Sequence, residues 1–392
     1  MSANSLDQRL SAALLVLETE NRRRRPRTVE SMPSAHTRSG GRDIINFASN
    51  NYLGLAEDPR VIEAAAQAQR RWGIGATGSR LMGGTLVLHE ELERALARFK
   101  GSLSALVFPS GYHANVGMIP ALAGADDTVF LDRLAHASLV DGARLSKAHV
   151  RVFRHNDPDH LEHVLGRRKG AGERWVITES VFSMDGDPAP LKDLAAVCEK
   201  RGARLYVDEA HATGVWGPGG RGWVNEQGVV DRVDVCMGTL SKALGAQGGF
   251  VCGSKALTQW GINRARAFVY STALSPGAAG GALAALALCE NEEDRRFRLF
   301  SLSDRLWAGL GLKGKGPIVP LILGDDGRAL SLSAALWEEG VFAPAIRFPT
   351  VPKGAARVRF SVTASHTPDD IDRVLSVVNH WTKMNGQSER RI

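Results

Sequence analysis

Lys242 is set among small residues, with Ser241, Ala243, Gly245 and Ala246 around it, just past the apolar run from Val233 to Gly238. Apolar runs of this length bounded by small polar residues read as buried strands. The lysine is therefore expected at the carboxyl end of a strand, where open α/β sheets place their chemistry. A primary amine in a closed, partly dry pocket deprotonates more readily and attacks carbonyl carbon. The plain alternative is a solvated surface lysine. Asp208, followed three positions later by His211, puts a carboxylate and an imidazole at another strand end. A buried carboxylate requires a cationic partner, and a protonated pyridine nitrogen is one. A structural ion pair for Asp208 and a hydrogen-bonded core imidazole for His211 are the alternatives. Ser110, Gly111 and Tyr112 enter a helix and can offer backbone N–H groups to an anion, although an ordinary helix start reads the same way. His136 can lie flat against an aromatic ligand or be a plain hydrogen-bonded histidine.

To share one rim, these groups need strands ending beside each of them. Apolar runs at 105–108, 128–131, 150–153, 175–178, 204–207 and 233–237 meet that need, with helical stretches at 115–122 and 191–200 between them. Such alternation predicts a mostly parallel sheet covered by helices. Ser110, Asp132, His136, Glu179, Asp208, His211, Thr239 and Lys242 then converge along one edge. Residues 249–252 follow closely enough to pair antiparallel with their neighbour. Upstream, residues 5–25 carry the apolar spacing of an amphipathic helix, 26–42 read as a polar connecting loop, and a helix starts at Pro59 behind an Asp58 cap. Residues 73–84 hold five glycines and cannot be a regular element. They read as a flexible surface loop, or as backbone lying close to a ligand or partner subunit. Past residue 285, a charged helix at 290–307, strands at 318–323 and 357–362 and helices at 329–339 and 368–381 predict a smaller α+β domain.

Hydrophobic residues make up 44% of the chain and charged residues 23%, ordinary globular usage that argues against disorder. Cys198, Cys236, Cys252 and Cys289 lack metal-ligand or redox spacing and read as buried thiols in a reducing compartment. The most apolar segment, 278–289, is too short to span a bilayer, and no secretory pattern opens the chain; a soluble cytoplasmic protein is expected, with no membrane partner. The net charge of +7 and the arginine run 22–25 permit nucleic acid, a solvated helix end or a clamp on an anionic substrate. No zinc-finger, RNA-recognition or helix-turn-helix pattern accompanies the run, so no nucleic-acid partner is expected. A zinc site has no supporting spacing, and a serine hydrolase has no G-x-S-x-G elbow; no metal is expected.

A lysine amine, a carboxylate for a ring nitrogen, a stacking imidazole and phosphate donors are together what a pyridoxal 5'-phosphate site requires. The segments NFASNNYLGL, GATGSRLMGGT, SGYHAN, DRLAHASLVDGARLS, RHND, TESVFSMDGDPAPL, VDEAHATGVWGPGGRG, GTLSKALGAQGG, YSTALSP and IRFPTVP, then RVRFSVTASHT, run in this order from about residue 44 to 375. In that order and spacing the chain resembles the α-oxoamine synthase family of fold-type I pyridoxal phosphate enzymes, within the class II pyridoxal-phosphate-dependent aminotransferases. The resemblance implies an α/β fold with a mostly parallel central sheet: an N-terminal helix and connecting segment over 1–43, a large cofactor-binding domain over 44–285 and a small C-terminal α+β domain over 286–392.

Carried over position by position, the resemblance makes Lys242 the Schiff-base lysine and the base for the amino acid's α-proton. It pairs Asp208 with the pyridinium, stacks His136 on the ring, and brings His211 and Ser183 to the phenolic oxygen. Gly111, Tyr112 and Thr239 hold the phosphate, joined by Ser271 and Thr272 of a partner subunit, which implies a homodimer. Arg359 binds the amino-acid carboxylate, Asn50, Arg347 and Thr350 are further substrate contacts, and Arg22 touches the acyl substrate. Within the family the chain is most similar to the member that condenses L-alanine with a pimeloyl thioester, on coenzyme A or acyl carrier protein. Its rivals are the sister condensations of glycine with acetyl-CoA or serine with a long acyl thioester, and a non-catalytic subunit that keeps the fold. Lys242, Asp208 and His211 count against that last reading.

Overall fold

The apolar runs between residues 104 and 253 form one seven-stranded sheet in the computed structural model, which describes residues 5–167 and 171–385. Its strands are β1 (Ser104–Phe108), β2 (Thr128–Asp132), β3 (His149–Phe153), β4 (Arg174–Glu179), β5 (Arg204–Asp208), β6 (Val235–Thr239) and β7 (Gly249–Gly253). They lie in the order β1-β7-β6-β5-β4-β2-β3. All neighbouring pairs are parallel except β7, which runs antiparallel to both β1 and β6. Helices cover the sheet, so the central strands read as unbroken apolar runs rather than alternating ones. Leu106, Met118, Ile119, Val129, Leu131, Ile177, Tyr206, Val235, Met237 and Val251 form one buried cluster. The order of the strands brings the carboxyl ends of β2, β4, β5 and β6 side by side.

The described chain divides into two compact units, one of residues 50–299 and one of residues 1–49 with 300–392. The seven-stranded sheet belongs to the first. In it the helix Pro59–Trp72 begins where Asp58 caps it, the Asp58 side chain accepting from Arg60 N. The glycine-rich stretch contains a single wide helical turn over Arg80–Gly84, broken by the backbone of Met82 and Gly83.

The second unit corrects the reading of 26–42 as loop alone. His36–Ser39 and Arg42–Asn46 form an antiparallel hairpin, turned by Gly40 and Gly41 with φ of 60° and 70°. Two consecutive left-handed residues are what such a two-residue turn demands, and glycine adopts them without steric cost. Val341–Phe342 adds to this hairpin in parallel. A second three-stranded sheet joins Ile318–Gly324, Ala356–Ser361 and Ala345–Ile346. The first helix spans Leu6–Thr19 rather than reaching residue 25. The charged helix expected at 290–307 is observed as Glu293–Gly309, with the preceding helix Pro276–Asn291 ending just before it. No described helix is long and apolar enough to cross a membrane. All four cysteines are buried and free.

Candidate active site

At the carboxyl edge of the seven-stranded sheet is a cavity of about 200 Å³ lined by Ser110, Gly111, Tyr112, Asn115, His136, Ser138, Glu179, Asp208, His211, Thr239, Ser241 and Lys242, among others. Lys242 follows β6, and its Nζ is 2.7 Å from His211 Nε2. The other nitrogen of His211, Nδ1, is 2.7 Å from Tyr52 Oη, and Tyr52 Oη donates to Asn50 Oδ1 at 3.2 Å. A chain of hydrogen bonds therefore orients the lysine from behind. His211 is buried, 4% exposed, so its ring is fixed by packing as well as by these bonds.

Asp208, at the end of β5, is 4% exposed. Its Oδ2 accepts from Asn115 Nδ2 at 2.8 Å and its Oδ1 from Ala210 N at 2.9 Å. Asn115 lies on α1 (Gly111–Leu122) and is itself held by Tyr206, whose hydroxyl donates to Asn115 Oδ1 at 2.8 Å. His136 caps α2 (Ala137–Leu145), its Nδ1 within 2.8 Å of Ser138 Oγ. Burial lowers the pKa of His136; Asp208 opposes the shift and Lys242 reinforces it. The ring is thus held neutral, the form best suited to lie against another planar group. Beneath it, Glu179 Oε1 accepts from His136 N at 2.7 Å. Burial, and then the charge of Asp208, push the Glu179 carboxyl well above its ordinary range.

The same cavity contains the start of α1. Ser110 caps it through its side chain, and the N–H groups of Gly111 and Tyr112 precede the first intrahelical donor, Ala114 N, which donates to Ser110 O. Glycine is needed here because β7 passes very close: a Cβ on Gly249 would stand 2.5 Å from Gly111 N. Thr239 Oγ1 donates to Gly248 O at 2.9 Å and lies 2.8 Å from Ser241 Oγ. An anion-binding helix start, a lysine amine and a held carboxylate thus share one small space. That donor set fits pyridoxal phosphate: N–H and hydroxyl donors for its phosphate, Asp208 for its ring nitrogen and Lys242 for its aldehyde.

One residue expected on this rim lies elsewhere. Asp132 faces away into a cluster in which His155 bridges it and Asp187, at 2.9 and 2.8 Å. Ser183 sits on the turn after β4, between Val181 and Pro188, and does not line the cavity. Ser271 and Thr272 are also outside the lining, on a segment that bridges to Ser79. Arg22, Arg347, Thr350 and Arg359 belong to the other unit. There, Arg22 lies over the Phe348 ring at 5.3 Å, Arg347 donates to Asn21 O, and Arg24 Nη2 donates to Thr350 Oγ1 at 3.1 Å. The arginine run is therefore spread over several partners, and Arg24 is its member on Thr350. Arg359 is buried in its sheet, donating to Ser361 Oγ at 2.7 Å. A larger cavity in that unit, about 690 Å³, is lined by Arg22, Phe348 and Lys353 together with Glu20, Asp325 and Asp326.

Asn115, Ser138 and Tyr52 were not singled out from the sequence. Asn115 carries a readable signal, being a lone amide in an otherwise apolar helix; Tyr52 does not. Glu209, the other acid beside Asp208, points away from the cavity to Lys100, whose Nζ is 2.5 Å distant, both groups being almost fully buried. It also accepts from Val224 N at 2.7 Å and so ties down the loop after β5.

Residues 42–378 match the family described as aminotransferase class I and II. Among curated relatives, an 8-amino-7-oxononanoate synthase of Anaeromyxobacter dehalogenans strain 2CP-1 is 47% identical over 96% of each chain, and one of Aromatoleum aromaticum is 43% identical over 95% of this chain and 97% of its own. Among solved structures, a serine palmitoyltransferase of S. paucimobilis with bound PLP–myriocin aldimine superposes with a TM-score of 0.92 at 33% identity, covering 97% of this chain and 99% of that one. The 8-amino-7-oxononanoate synthase of Francisella tularensis superposes with a TM-score of 0.75 at 29% identity, covering 87% and 98%. The chain therefore belongs to the class I and II aminotransferase family, together with the 8-amino-7-oxononanoate synthases it matches along nearly its whole length.

Proposed function

We propose that this chain is a pyridoxal-phosphate-dependent acyltransferase that condenses L-alanine with a pimeloyl thioester, releasing carbon dioxide and the free thiol and forming 8-amino-7-oxononanoate. The observation that carries the reading is the single cavity holding Lys242, His211, Asp208, His136 and the start of α1. The relatives supply the substrate pair, since the sequences that match over nearly the whole chain bear that enzyme's name.

When bound, pyridoxal phosphate supplies an electron sink that makes the amino acid's Cα–H acidic. Lys242 is its covalent anchor, and Nζ is the base that removes the Cα proton and later returns one. His211, backed by Tyr52, keeps Nζ aimed and, with Ser183, serves the phenolic oxygen. Asp208, held by Asn115 and the Ala210 N–H, faces the ring nitrogen. His136 covers the ring face and Gly111, Tyr112 and Thr239 grip the phosphate, with Ser271 and Thr272 contributed from a partner subunit of a homodimer. Arg359 takes the amino-acid carboxylate, Asn50, Arg347 and Thr350 are further substrate contacts, and Arg22 touches the acyl substrate. The thiol carrier is coenzyme A or an acyl carrier protein, and the compartment is the cytoplasm, where four buried unpaired thiols persist.

The test is a product assay on the purified, cofactor-loaded protein. Alanine with pimeloyl-CoA is expected to release carbon dioxide and a product of the mass of 8-amino-7-oxononanoate. Turnover with serine and a long acyl-CoA, or glycine and acetyl-CoA, in preference to that pair would overturn the substrate assignment and leave the family. No turnover with any pair would favour a silent subunit.

A further inference from the structure

Two carboxyl groups share this cavity, and the structure treats them differently. Glu179 and Asp208 end adjacent parallel strands as directly paired residues. Asp208 takes a hydrogen bond on each oxygen, the satisfaction an ionised carboxylate requires. Glu179 is 3% exposed and receives one donor, His136 N, on Oε1. Among the described residues its Oε2 has no protein partner, although Glu179 lines the cavity. A buried carboxylate with a single donor, beside another carboxylate, is strongly disfavoured. The titratable groups nearest it are Asp208 on β5, Lys242 after β6 and, turned towards His155, Asp132 on β2, with His136 donating from its backbone. Lys242 and the His136 N–H favour ionisation, but burial and the charge of Asp208 outweigh them. Two carboxyl groups in one site whose surroundings separate them are the usual mark of an acid and an anion with different tasks.

We propose that Glu179 works as a neutral carboxylic acid, Oε1 fixing the backbone of His136 while the Oε2 hydroxyl donates a hydrogen bond into the cavity, to the carbonyl oxygen of the acyl substrate. No proton is transferred; the hydroxyl supplies a preorganised donor where negative charge gathers as the thioester carbonyl is attacked. The assignment of the receiving atom rests on the condensing reaction proposed above, whereas the protonation state does not.

The experiment separates the two. Infrared difference spectra of the cofactor-loaded protein at neutral pH are expected to show a protonated-carboxyl C=O band that is absent from Glu179→Gln. Glu179→Gln retains an acceptor for His136 N and a neutral donor, so its kcat is expected within about threefold of the parent. Glu179→Leu, with neither, is expected to lose about 10²–10³-fold in kcat, the range found on removing one oxyanion donor, while KM for the amino acid changes little. Absorbance of the bound cofactor and near-ultraviolet circular dichroism establish that both variants are folded and loaded. An ionised Glu179 in the infrared spectra, or a Gln variant as damaged as the Leu variant, would overturn the proposal. A protonated Glu179 with the Gln and Leu variants equally active would overturn the donor role. Failure of the parent with every substrate pair, the band being present, would instead overturn the functional reading.

Discussion

The cavity distinguishes residues that do chemistry from residues that aim them. Lys242 Nζ is 2.7 Å from His211 Nε2, and His211 is in turn fixed through Tyr52. Replacing Lys242 by alanine removes both anchor and base, and kcat is expected to fall by about 10²–10⁴-fold or more, the usual share of a positioned acid–base group. Tyr52→Phe removes only the hydroxyl that orients His211. One neutral hydrogen bond is worth about 1 kcal/mol, so a loss of about fivefold in kcat is expected, with the visible spectrum of the bound cofactor retained. A full loss of activity in Tyr52→Phe would show that the tyrosine takes part in the reaction itself. Legibility at this scale was uneven for a physical reason. Lys242, Asp208, His136 and His211 follow strands directly, and strand ends can be found from apolar runs. Tyr52 reaches His211 from a turn and Asn115 reaches the cavity from the middle of a helix, where neither period nor spacing marks them. Asp132 also follows a strand, yet its carboxylate is captured by His155, a competition that no one-dimensional pattern contains.

That capture has consequences for a whole element. His155 is buried enough to lose solvation, which opposes its charge, but hydrogen bonds and charge from Asp132 and Asp187 outweigh this and raise its pKa to about 10. It also packs edge-on against Phe182. The imidazolium thereby clamps the end of β2 to the turn that carries Ser183. An unfolded histidine titrates near about 6.5, so the clamp's contribution to stability is complete below that pH and is lost as pH rises through about 10. Melting temperatures measured from pH 6 to 10 are expected to decline across this window in the parent protein. His155→Asn should have a lower melting temperature at pH 6 and a flatter decline above it. An unchanged slope would place the pH dependence elsewhere. A second element rests on glycine. Gly249→Ala drives a methyl to within 2.5 Å of Gly111 N, a backbone contact that cannot relax cheaply. A loss of about 1–3 kcal/mol is expected from the overpacking, with weaker cofactor affinity because the start of α1 is displaced; titration of the apoprotein with pyridoxal phosphate reads it. The elements themselves were largely legible, because buried parallel strands are apolar throughout and their helices amphipathic. The hairpin of His36–Ser39 and Arg42–Asn46 was not, since its outward positions are charged and its strands are only four and five residues long.

For the whole molecule, the question is whether one chain makes a complete site. Ser271 and Thr272 resemble phosphate contacts but lie outside this chain's own cavity. Their segment is tied to the glycine-rich stretch by the Ser79–Thr272 bridge and by Ala273 N donating to Gly78 O at 3.0 Å. Along these two tied segments Ile74, Met82 and Tyr270 are 79%, 80% and 71% exposed. Large apolar side chains gathered in this way mark an association surface, and a closed two-fold pair is the commonest form of association for a soluble chain. If a second copy covers this surface, the tied segments carry Ser271 and Thr272 across the interface, and the cofactor is gripped from both sides. Met82→Asp then buries a charge in the interface, which is costly without a partner. Light scattering is expected to show a dimer for the parent protein and a monomer for Met82→Asp at micromolar concentration. Binding of pyridoxal phosphate should weaken in the same variant, although Met82 does not line the cavity of its own chain. A monomeric variant that holds the cofactor as tightly as the parent would show that each chain completes its own phosphate site. The glycine-rich stretch would then be an association surface alone.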